Sequence, residues 1–346
     1  MGGVGTGKTT TMLSILVSLV REVWSRGGKP HILIVDKDGE YGVKELLDAV
    51  GFGEYYHVDV DEVRVESIRD KERYAREVLR RLGYYDRRSK AAKALYNTIM
   101  ELEEEDLFPT PDFIASKIIP RIREHDVRGE LLARASKWKA MEWGRVEEEK
   151  VSIGELVEKL KSKTIVHVDL SKCRNIDRAF RTLRELLARI YGEVLRDECF
   201  GCIIVVDEAH LYCPERGGIE ISEGVRELKK TIELIATTGP RNGVTLFMAT
   251  QRPSLISKTI TTQLGQNIIA HKVEDVDLDR IREIMGPVAT KIAVLPRGWA
   301  LVKSLATKIR QPLIVRVRAV AKPASTGKTA YERFHSNIKS ENTNIT

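Results

Sequence analysis

The sequence predicts an α/β protein built on a parallel sheet, and three observations support that fold class. Short apolar runs alternate with helical patterns along the 346-residue chain, an order typical of parallel sheets. Residues 2–9 read Gly-Gly-Val-Gly-Thr-Gly-Lys-Thr, a complete phosphate-binding loop that leads directly into an apolar helical pattern. Between residues 86 and 163 charge rises and helical spacing dominates, which indicates a helical insertion in the α/β domain.

The individual elements follow from apolar spacing and from turn residues. We expect a helix over 8–26, ended by Gly27-Gly28, and a second amphipathic helix over 176–196. Short apolar runs bounded by turn signals predict buried strands at 31–36, 164–170, 202–208, 243–250 and 267–271. Two further runs, 299–302 and 313–320, are predicted as edge strands, and in the second Arg316 and Arg318 share one face.

These elements divide the chain into three parts. Residues 1–85 and 164–322 form the predicted nucleotide-binding core, residues 86–163 the helical insertion, and residues 323–346 a polar, loosely ordered tail. No run approaches the roughly 20 apolar residues that cross a bilayer, and no signal peptide is present. We therefore expect a cytoplasmic protein without membrane insertion.

Charge and cysteine content limit the classes of binding partner that the sequence predicts. Residues 284–331 carry nine Lys or Arg and no acidic residue, a field that attracts polyanions, although a solvated basic face is the plain alternative. Cys199 and Cys202 form a C-x-x-C pair, but no second Cys or His pair stands at zinc-binding spacing. A metal or redox role for these thiols is not expected.

The phosphate loop predicts ATP and Mg²⁺ as cofactors. Its glycines let successive backbone N–H groups face the phosphates, while the following helix adds its positive end. Lys8 is expected at the β- and γ-phosphates, and Thr9 on Mg²⁺. The predicted nucleotide contacts are Gly2, Gly3, Val4, Gly5, Thr6, Gly7, Lys8, Thr9 and Thr10.

Two acids end the most hydrophobic predicted strand. Asp207 is suited to the Mg²⁺ shell, and Glu208 to polarising an attacking water. The alternative is a pair of acids at an ordinary strand end. Adjacent acids and the absence of the base-recognition motif NKxD favour an ATPase over a switch GTPase.

The strand predicted at 243–250 has a polar residue beyond each end. Gln251 follows it, where a side chain can sense the γ-phosphate. Arg241 precedes it at the opposite tip, far from its own nucleotide, where it could reach a neighbouring subunit's site as an arginine finger. The alternative for Arg241 is a surface turn residue.

Taken together, these motifs resemble the HerA/FtsK class of ring-forming DNA-pumping ATPases, and the archaeal HerA branch in particular. The resemblance extends from Gly2 to about Val320. Beside the phosphate loop, the matching segments are DKDGEYG (36–42), IIVVDEAH (203–210), RNGVTLFMATQRPS (241–254) and LPRGWALV (295–302).

The resemblance implies a RecA-like P-loop domain of the type with an additional strand and a catalytic glutamate. It also implies catalytic roles for Lys8, Glu208, Gln251 and, in trans, Arg241. Glu40 is placed near the nucleotide, and Asp36 is expected to orient its loop. The implied partners are double-stranded DNA, further copies of the chain in a homo-hexamer, and a NurA-type nuclease in break-end resection.

One departure from that pattern concerns the start of the core. A phosphate loop normally follows a strand, yet only Met1 precedes Gly2. Either the gene product begins further upstream, which we expect, or another segment occupies the central slot of the sheet. Two other functions stay open: a motor ATPase of a conjugation, secretion or virus-packaging apparatus, and a truncated, inactive remnant that binds partners.

Overall fold

The computed structural model divides the chain into two compact units. It describes residues 1–3, 5–64, 71–103, 107, 110–142, 151–215, 222–265, 267–305 and 311–320. One unit comprises Met1–Asp61 with Leu156–Thr346, and the other is Glu62–Glu155. The predicted tail at 323–346 and the predicted nucleotide contact Val4 lie outside the described residues.

The described elements follow the predicted alternation. The strands are β1 (Ile32–Asp36), β2 (Tyr55–Asp59), β3 (Val63–Arg64), β4 (Val151–Ser152), β5 (Ile165–Asp169), β6 (Cys202–Val206), β7 (Val244–Met248), β8 (Asn267–Ala270), β9 (Trp299–Ser304) and β10 (Leu313–Arg316). The α-helices are α1 (Lys8–Ser25), α2 (Val43–Val50), α3 (Lys71–Arg81), α4 (Lys90–Met100), α5 (Pro111–Phe113), α6 (His125–Glu142), α7 (Ile153–Ser162), α8 (Ile176–Arg196), α9 (Glu223–Thr238), α10 (Lys258–Leu264) and α11 (Asp275–Met285).

A five-stranded parallel sheet in the order β2-β5-β1-β6-β7 forms the centre of the larger unit. Its inner strands β5, β1 and β6 are buried along their whole length, which is why they are rich in Ile and Val, with His167 and Asp169 as polar exceptions in β5. The predicted parallel α/β fold is therefore confirmed. The carboxyl ends of all five strands share one edge, so the residues that follow them are brought together there.

The sequence prediction misses β2. This strand lies at the sheet edge, and its residues alternate between exposed and half-buried except for Val58. Because β2 is an edge strand, much of its surface stays exposed and polar or aromatic residues are tolerated there. Tyr55-Tyr56-His57 therefore lacks the apolar run by which the other strands are found.

The last three strands form a separate antiparallel sheet in the order β10-β9-β8. The predicted strand at 267–271 is therefore not a member of the parallel sheet. The prediction that 299–302 is an edge strand is wrong, because β9 pairs on both sides. β10 ends at Arg316, so Arg318 lies beyond the strand, although both arginines are exposed.

A cavity of about 570 Å³ lies between β7 and β8. It is lined by residues of both strands and by Met12 and Ile15 of α1. Across it, the facing edges of β7 and β8 have no strand partner among the described residues. Met1 lines this cavity and forms two backbone hydrogen bonds with the β8 segment. Its nitrogen donates to Ile269 O (2.8 Å), and its carbonyl accepts from His271 N (2.9 Å). This hydrogen-bond pattern is that of a parallel strand next to β8.

The smaller unit is mostly helical and has its own core. Its only described strands, β3 and β4, pair in parallel over two residues each. Tyr74, Val78 and Leu82, from α3 and the residue that follows it, pack with Leu95 and Ile99 of α4 in one buried cluster. Because α3 contributes to this cluster, it belongs to the smaller unit, which spans Glu62–Glu155, whereas the sequence prediction placed the insertion at 86–163. Among the helices described, none is long and apolar enough to span a membrane.

Candidate nucleotide-binding site

The phosphate loop is a turn held open at the amino end of α1. Gly5 (φ 68°) and Gly7 (φ 105°) adopt the left-handed backbone that glycine permits. Among the residues described, no side chain caps α1, and the first turn of this helix contains no acid, so its terminal N–H groups are available to an anion. Gly3 N donates to Lys272 O (2.8 Å), and Gly2 N donates to Thr250 O (3.2 Å). The loop is thereby fixed between the ends of β7 and β8.

Lys8 and Thr9 point toward acidic groups. Lys8 Nζ donates to Gly3 O at 3.0 Å, inside the loop that it closes. Burial lowers the pKa of Lys8, and the charges of Glu208 and Asp207 oppose that shift. Thr9 Oγ1 donates to Glu40 Oε2 at 3.2 Å. This contact leaves the Thr9 oxygen lone pairs free for a cation and places Glu40 beside the phosphate loop, while its position near a nucleotide stays a prediction.

Asp36 organises the segment that carries Glu40. Its Oδ1 accepts the N–H groups of residues 38, 39 and 40, and its Oδ2 accepts that of Tyr41 at 2.9 Å. Burial would raise the Asp36 pKa, but hydrogen bonds from His167 and from the Tyr41 N–H outweigh it and hold the carboxyl ionised. The first acid of DKDGEYG is thus a loop-orienting residue in this geometry.

Asp207 and Glu208 follow β6, and the pKa values of their carboxyl groups are shifted in opposite directions. Burial, and then the neighbouring Glu208 charge, raise the pKa of Asp207 to about 8. Burial acts in the same direction on Glu208, but hydrogen bonds from His210 and from the Gln251 N–H outweigh it and lower its pKa. Glu208 is also the one described non-glycine residue with positive φ (47°). Such a backbone conformation costs on the order of 1–2 kcal/mol, and functional sites are where it is usually retained.

The segment after β7 is built around Glu208. Gln251 N donates to Glu208 Oε2 at 3.2 Å, and Nδ1 of His210 lies 3.2 Å from the same oxygen. His210 Nδ1 also lies 3.1 Å from Thr250 Oγ1. The backbone of Gln251 therefore contacts the candidate water-activating acid, and the role of its side chain as a sensor of the γ-phosphate stays a prediction.

Arg241 lies at the other end of β7. It belongs to a single-turn 3₁₀ helix, Gly239–Asn242, and is exposed. Five strand residues, about 16 Å at 3.3 Å per residue, separate that turn from the segment containing Gln251. The chain's own nucleotide site does not include Arg241.

Three residues that sequence reasoning missed complete the site. Asp38 offers a carboxylate oxygen that, with those of Asp207 and Glu208, forms a group within 4.8 Å. His271 lies under the phosphate loop, so close that a Cβ atom added to Gly2 would be 2.7 Å from the Cβ of His271. Asp277 of α11 is fully buried and accepts from Ser254 N (2.8 Å) and Oγ (2.6 Å), which anchors the segment after Gln251. Only Asp38 had a signal, as the second acid of DKDGEYG.

His271 connects the loop to the second sheet. Its Nε2 lies 2.9 Å from Thr11 Oγ1 and its Nδ1 lies 3.1 Å from Trp299 O. Burial, followed by the nearby amino-terminal charge, lowers the pKa of His271 to about 4. The ring is therefore neutral at pH 7, and its two nitrogens tie α1 to β9.

The arrangement fits a magnesium nucleotide. The three carboxylates form an all-oxygen donor set of the kind Mg²⁺ prefers. A buried acid with a pKa near 8 is one that a dication would hold ionised. Opposite it, the open glycine loop and the uncapped helix are built for phosphate oxygens.

Comparison with known proteins identifies the family of this chain. The family model described as "Helicase HerA, central domain" matches residues 1–198. The DNA double-strand break repair helicase HerA of Pyrococcus furiosus is 29% identical over 119 residues, which are 33% of this chain and 20% of that protein. The match thus spans about a fifth of that relative's length.

Solved structures agree in fold. VirB4 of Thermoanaerobacter pseudethanolicus superposes with a TM-score of 0.53 at 14% identity, covering 96% of this chain and 89% of its own. The plasmid coupling protein TrwB, in complex with the non-hydrolysable GTP analogue GDPNP, superposes with a TM-score of 0.54 at 13% identity, covering 94% and 86%. The RecA-like P-loop fold predicted from the sequence is confirmed. Because the family model matches more than half of this chain, the chain belongs to the HerA helicase central-domain family of P-loop ATPases.

Proposed function

We propose that this chain is an ATP-driven motor that moves along double-stranded DNA as a ring, with each nucleotide site completed by a neighbouring subunit. The observation that carries the proposal is the arrangement along β7. One end holds Gln251 against Glu208, and the other presents the exposed Arg241. A ring in which one subunit's Arg241 faces the next subunit's phosphate loop uses both ends of the same strand.

Within one subunit, the roles follow from the contacts. Lys8 and the loop backbone bind the phosphates of ATP, while Thr9 and Asp207 hold Mg²⁺ with Asp38 beside them. Mg²⁺ supplies charge neutralisation at the β- and γ-phosphates. Glu208, kept ionised by His210 and the Gln251 N–H, accepts a proton from water. Gln251 reports the state of the γ-phosphate to β7 and so to the end that bears Arg241.

The DNA assignment is supported by family membership and by the basic stretch at 284–331. Arg316 and Arg318 are exposed members of that stretch. Contacts from such side chains to phosphates give grip without base recognition, as a motor requires. Break-end resection with a NurA-type nuclease is the finer part of the proposal, and a cytoplasmic location follows from it.

Subunit mixing tests the shared site. Glu208→Gln should bind ATP without turnover, and Arg241→Ala should lower kcat by roughly a thousandfold or more, the range of arginine fingers. Each variant alone forms inactive rings, whereas in an equal mixture roughly a quarter of interfaces combine an intact Glu208 with a neighbour's intact Arg241. ATPase activity should therefore peak near equal proportions.

Two controls sharpen this result. Arg226→Ala removes an exposed arginine from α9 and should leave turnover unchanged. Double-stranded DNA should stimulate wild-type turnover, with an effect that fades from low to moderate salt. Full activity of Arg241→Ala, or no recovery at any mixing ratio, would exclude the shared site.

A rate that is indifferent to DNA would instead favour the second candidate, a motor for a conjugation, secretion or packaging apparatus. The compact helical unit Glu62–Glu155 is the feature that favours it, because a separately folded unit is suited to docking on an apparatus.

A further inference from the structure

Two neighbouring strands at the sheet edge end with the same tripeptide, His-Val-Asp. In β2 it is residues 57–59 and in β5 residues 167–169, and the strands pair so that His57 faces His167 and Asp59 faces Asp169. Residues two apart on a strand share a face, so all four polar side chains lie on one side of the sheet. None of them belongs to the nucleotide site.

The hydrogen positions in this group follow from Asp36. Its ionised carboxylate can only accept, so His167 Nε2, 3.2 Å away, carries the hydrogen. His57 Nδ1 lies 3.0 Å from His167 Nδ1, so one hydrogen is shared between these two nitrogens. His57 Nε2 lies outside this pair and is the ring nitrogen that can serve as a ligand atom.

His57 Nε2 faces carboxylates. It lies 3.8 Å from Asp59 Oδ1, an oxygen closed off from solvent that has no hydrogen-bond partner among the residues described. Asp169 contributes the third ligand atom, and the three lie within 4.8 Å of one another. Of the residues described, no Lys or Arg forms an ion pair with either carboxylate. An imidazole nitrogen and two carboxylates, one of which has a buried oxygen without a hydrogen-bond partner among the described residues, thus converge with no Lys or Arg beside them, and this arrangement favours a cation between them.

We propose that His57, Asp59 and Asp169 bind a divalent first-row transition-metal ion, with Zn²⁺ as the representative. One imidazole nitrogen and two carboxylate oxygens form a donor set that such ions take, and the two negative charges match the ion. Metal–ligand distances of about 2.0–2.2 Å bring ligand atoms to roughly 3.3 Å apart. The half-exposed side chains of His57 (45%) and Asp59 (28%) are free to close by that amount, and water completes the shell.

Side chains that would orient the imidazole ligand of this site already surround it. A metal-bound imidazole is usually oriented by a hydrogen bond on its other nitrogen. In His57 that nitrogen is Nδ1, which lies 3.0 Å from His167 Nδ1, and Asp36 orients His167. Asp36 in turn holds the loop that bears Glu40. A bound ion therefore fastens β2 to β5 and stiffens the connection to the phosphate loop. The site does not depend on the proposed motor function.

Zn²⁺ binding to the full chain tests the proposal. Because Asp38, Asp207 and Glu208 form a second carboxylate group, calorimetric titration is done in Asp207→Asn, which leaves the edge site untouched. We expect one Zn²⁺ per chain and a rise in melting temperature on binding. His57→Ala or Asp169→Asn should weaken that binding at least tenfold, and Asp169→Asn keeps an oxygen for the Ser171 N–H that Asp169 Oδ1 now accepts.

Co²⁺ substitution gives an independent measurement, because its visible spectrum reports nitrogen and oxygen ligation and should change in His57→Gln. The matched control is His125→Ala, an exposed histidine of the other unit, which should bind Zn²⁺ as the parent does. No Zn²⁺ binding, or equal affinity in Asp169→Asn and its parent, overturns the proposal. So does a melting temperature that responds to pH but not to Zn²⁺, since a proton on His57 would then be the missing cation.

Discussion

Replacing Asp207 by Asn should stabilise the nucleotide-free protein, and increasingly so as pH rises. The folded-state pKa of about 8 lies above the model-compound value of 3.8, because burial and the Glu208 charge disfavour the ionised form. The carboxyl group's contribution to stability is therefore fully present below pH 3.8, declines as pH rises, and is lost above pH 8. Asn imitates the protonated acid and has no such dependence.

The size of the effect follows from linkage. Each pH unit between the two pKa values changes the free energy of unfolding by about 1.4 kcal/mol. From pH 5 to pH 7.5, the stability advantage of Asp207→Asn over wild type should therefore grow by on the order of 3 kcal/mol. At ~2–4 °C per kcal/mol for larger domains, the difference in melting temperature should widen by roughly 10 °C.

Thermal unfolding at the two pH values, with chelator and without nucleotide, measures this difference. Asp48→Asn, an exposed acid of α2, is the control and should track wild type. Adding Mg²⁺ and an ATP analogue should stabilise wild type more than the variant, because a dication favours the ionised carboxylate. A difference between Asp207→Asn and wild type that is the same at both pH values would refute the assigned protonation state.

Four further outcomes are expected. Lys8→Ala should abolish ATP hydrolysis while leaving the circular dichroism spectrum unchanged; normal steady-state turnover would remove Lys8 from the site. His271→Gln should lose the part of wild-type acid sensitivity that arises because the folded pKa of about 4 lies below 6.5. That contribution is intact above pH 6.5, and on the order of 3 kcal/mol is lost as pH falls toward 4, which denaturant titrations at several pH values measure. Asp277→Ala should lower kcat more than ATP affinity by releasing the segment after Gln251, and equal effects on both would contradict an anchoring role. Five apolar residues joined before Met1 should enter the cavity between β7 and β8 and raise the melting temperature above that of a Gly-Ser extension of equal length, at about 2 kcal/mol per buried side chain.

Some of the site could be read from the sequence because its parts are contiguous. The candidate phosphate loop is eight successive residues, so their types and their order along the chain suffice to predict that its backbone N–H groups face a phosphate. Asp207 and Gln251 were found by a related argument. Each follows a strand of a parallel sheet, and the carboxyl ends of such strands meet at one edge.

Other residues could not be found in this way, because their partners are distant along the chain. His271 contacts Thr11 across 260 positions, and Asp277 contacts Ser254 across 23. A single buried polar side chain leaves no periodic pattern, and its role depends on the acceptor or donor that folding brings to it.

The sequence by itself determined the fold class, the phosphate loop and the two acids after β6, since local backbone chemistry and apolar periodicity suffice for these. Only the tertiary structure decided that β2 forms the sheet edge, that β8 lies across a cavity from β7, and that His57 meets His167. Those features depend on strand order and register, which many long-range contacts set together and which no short stretch of residues encodes.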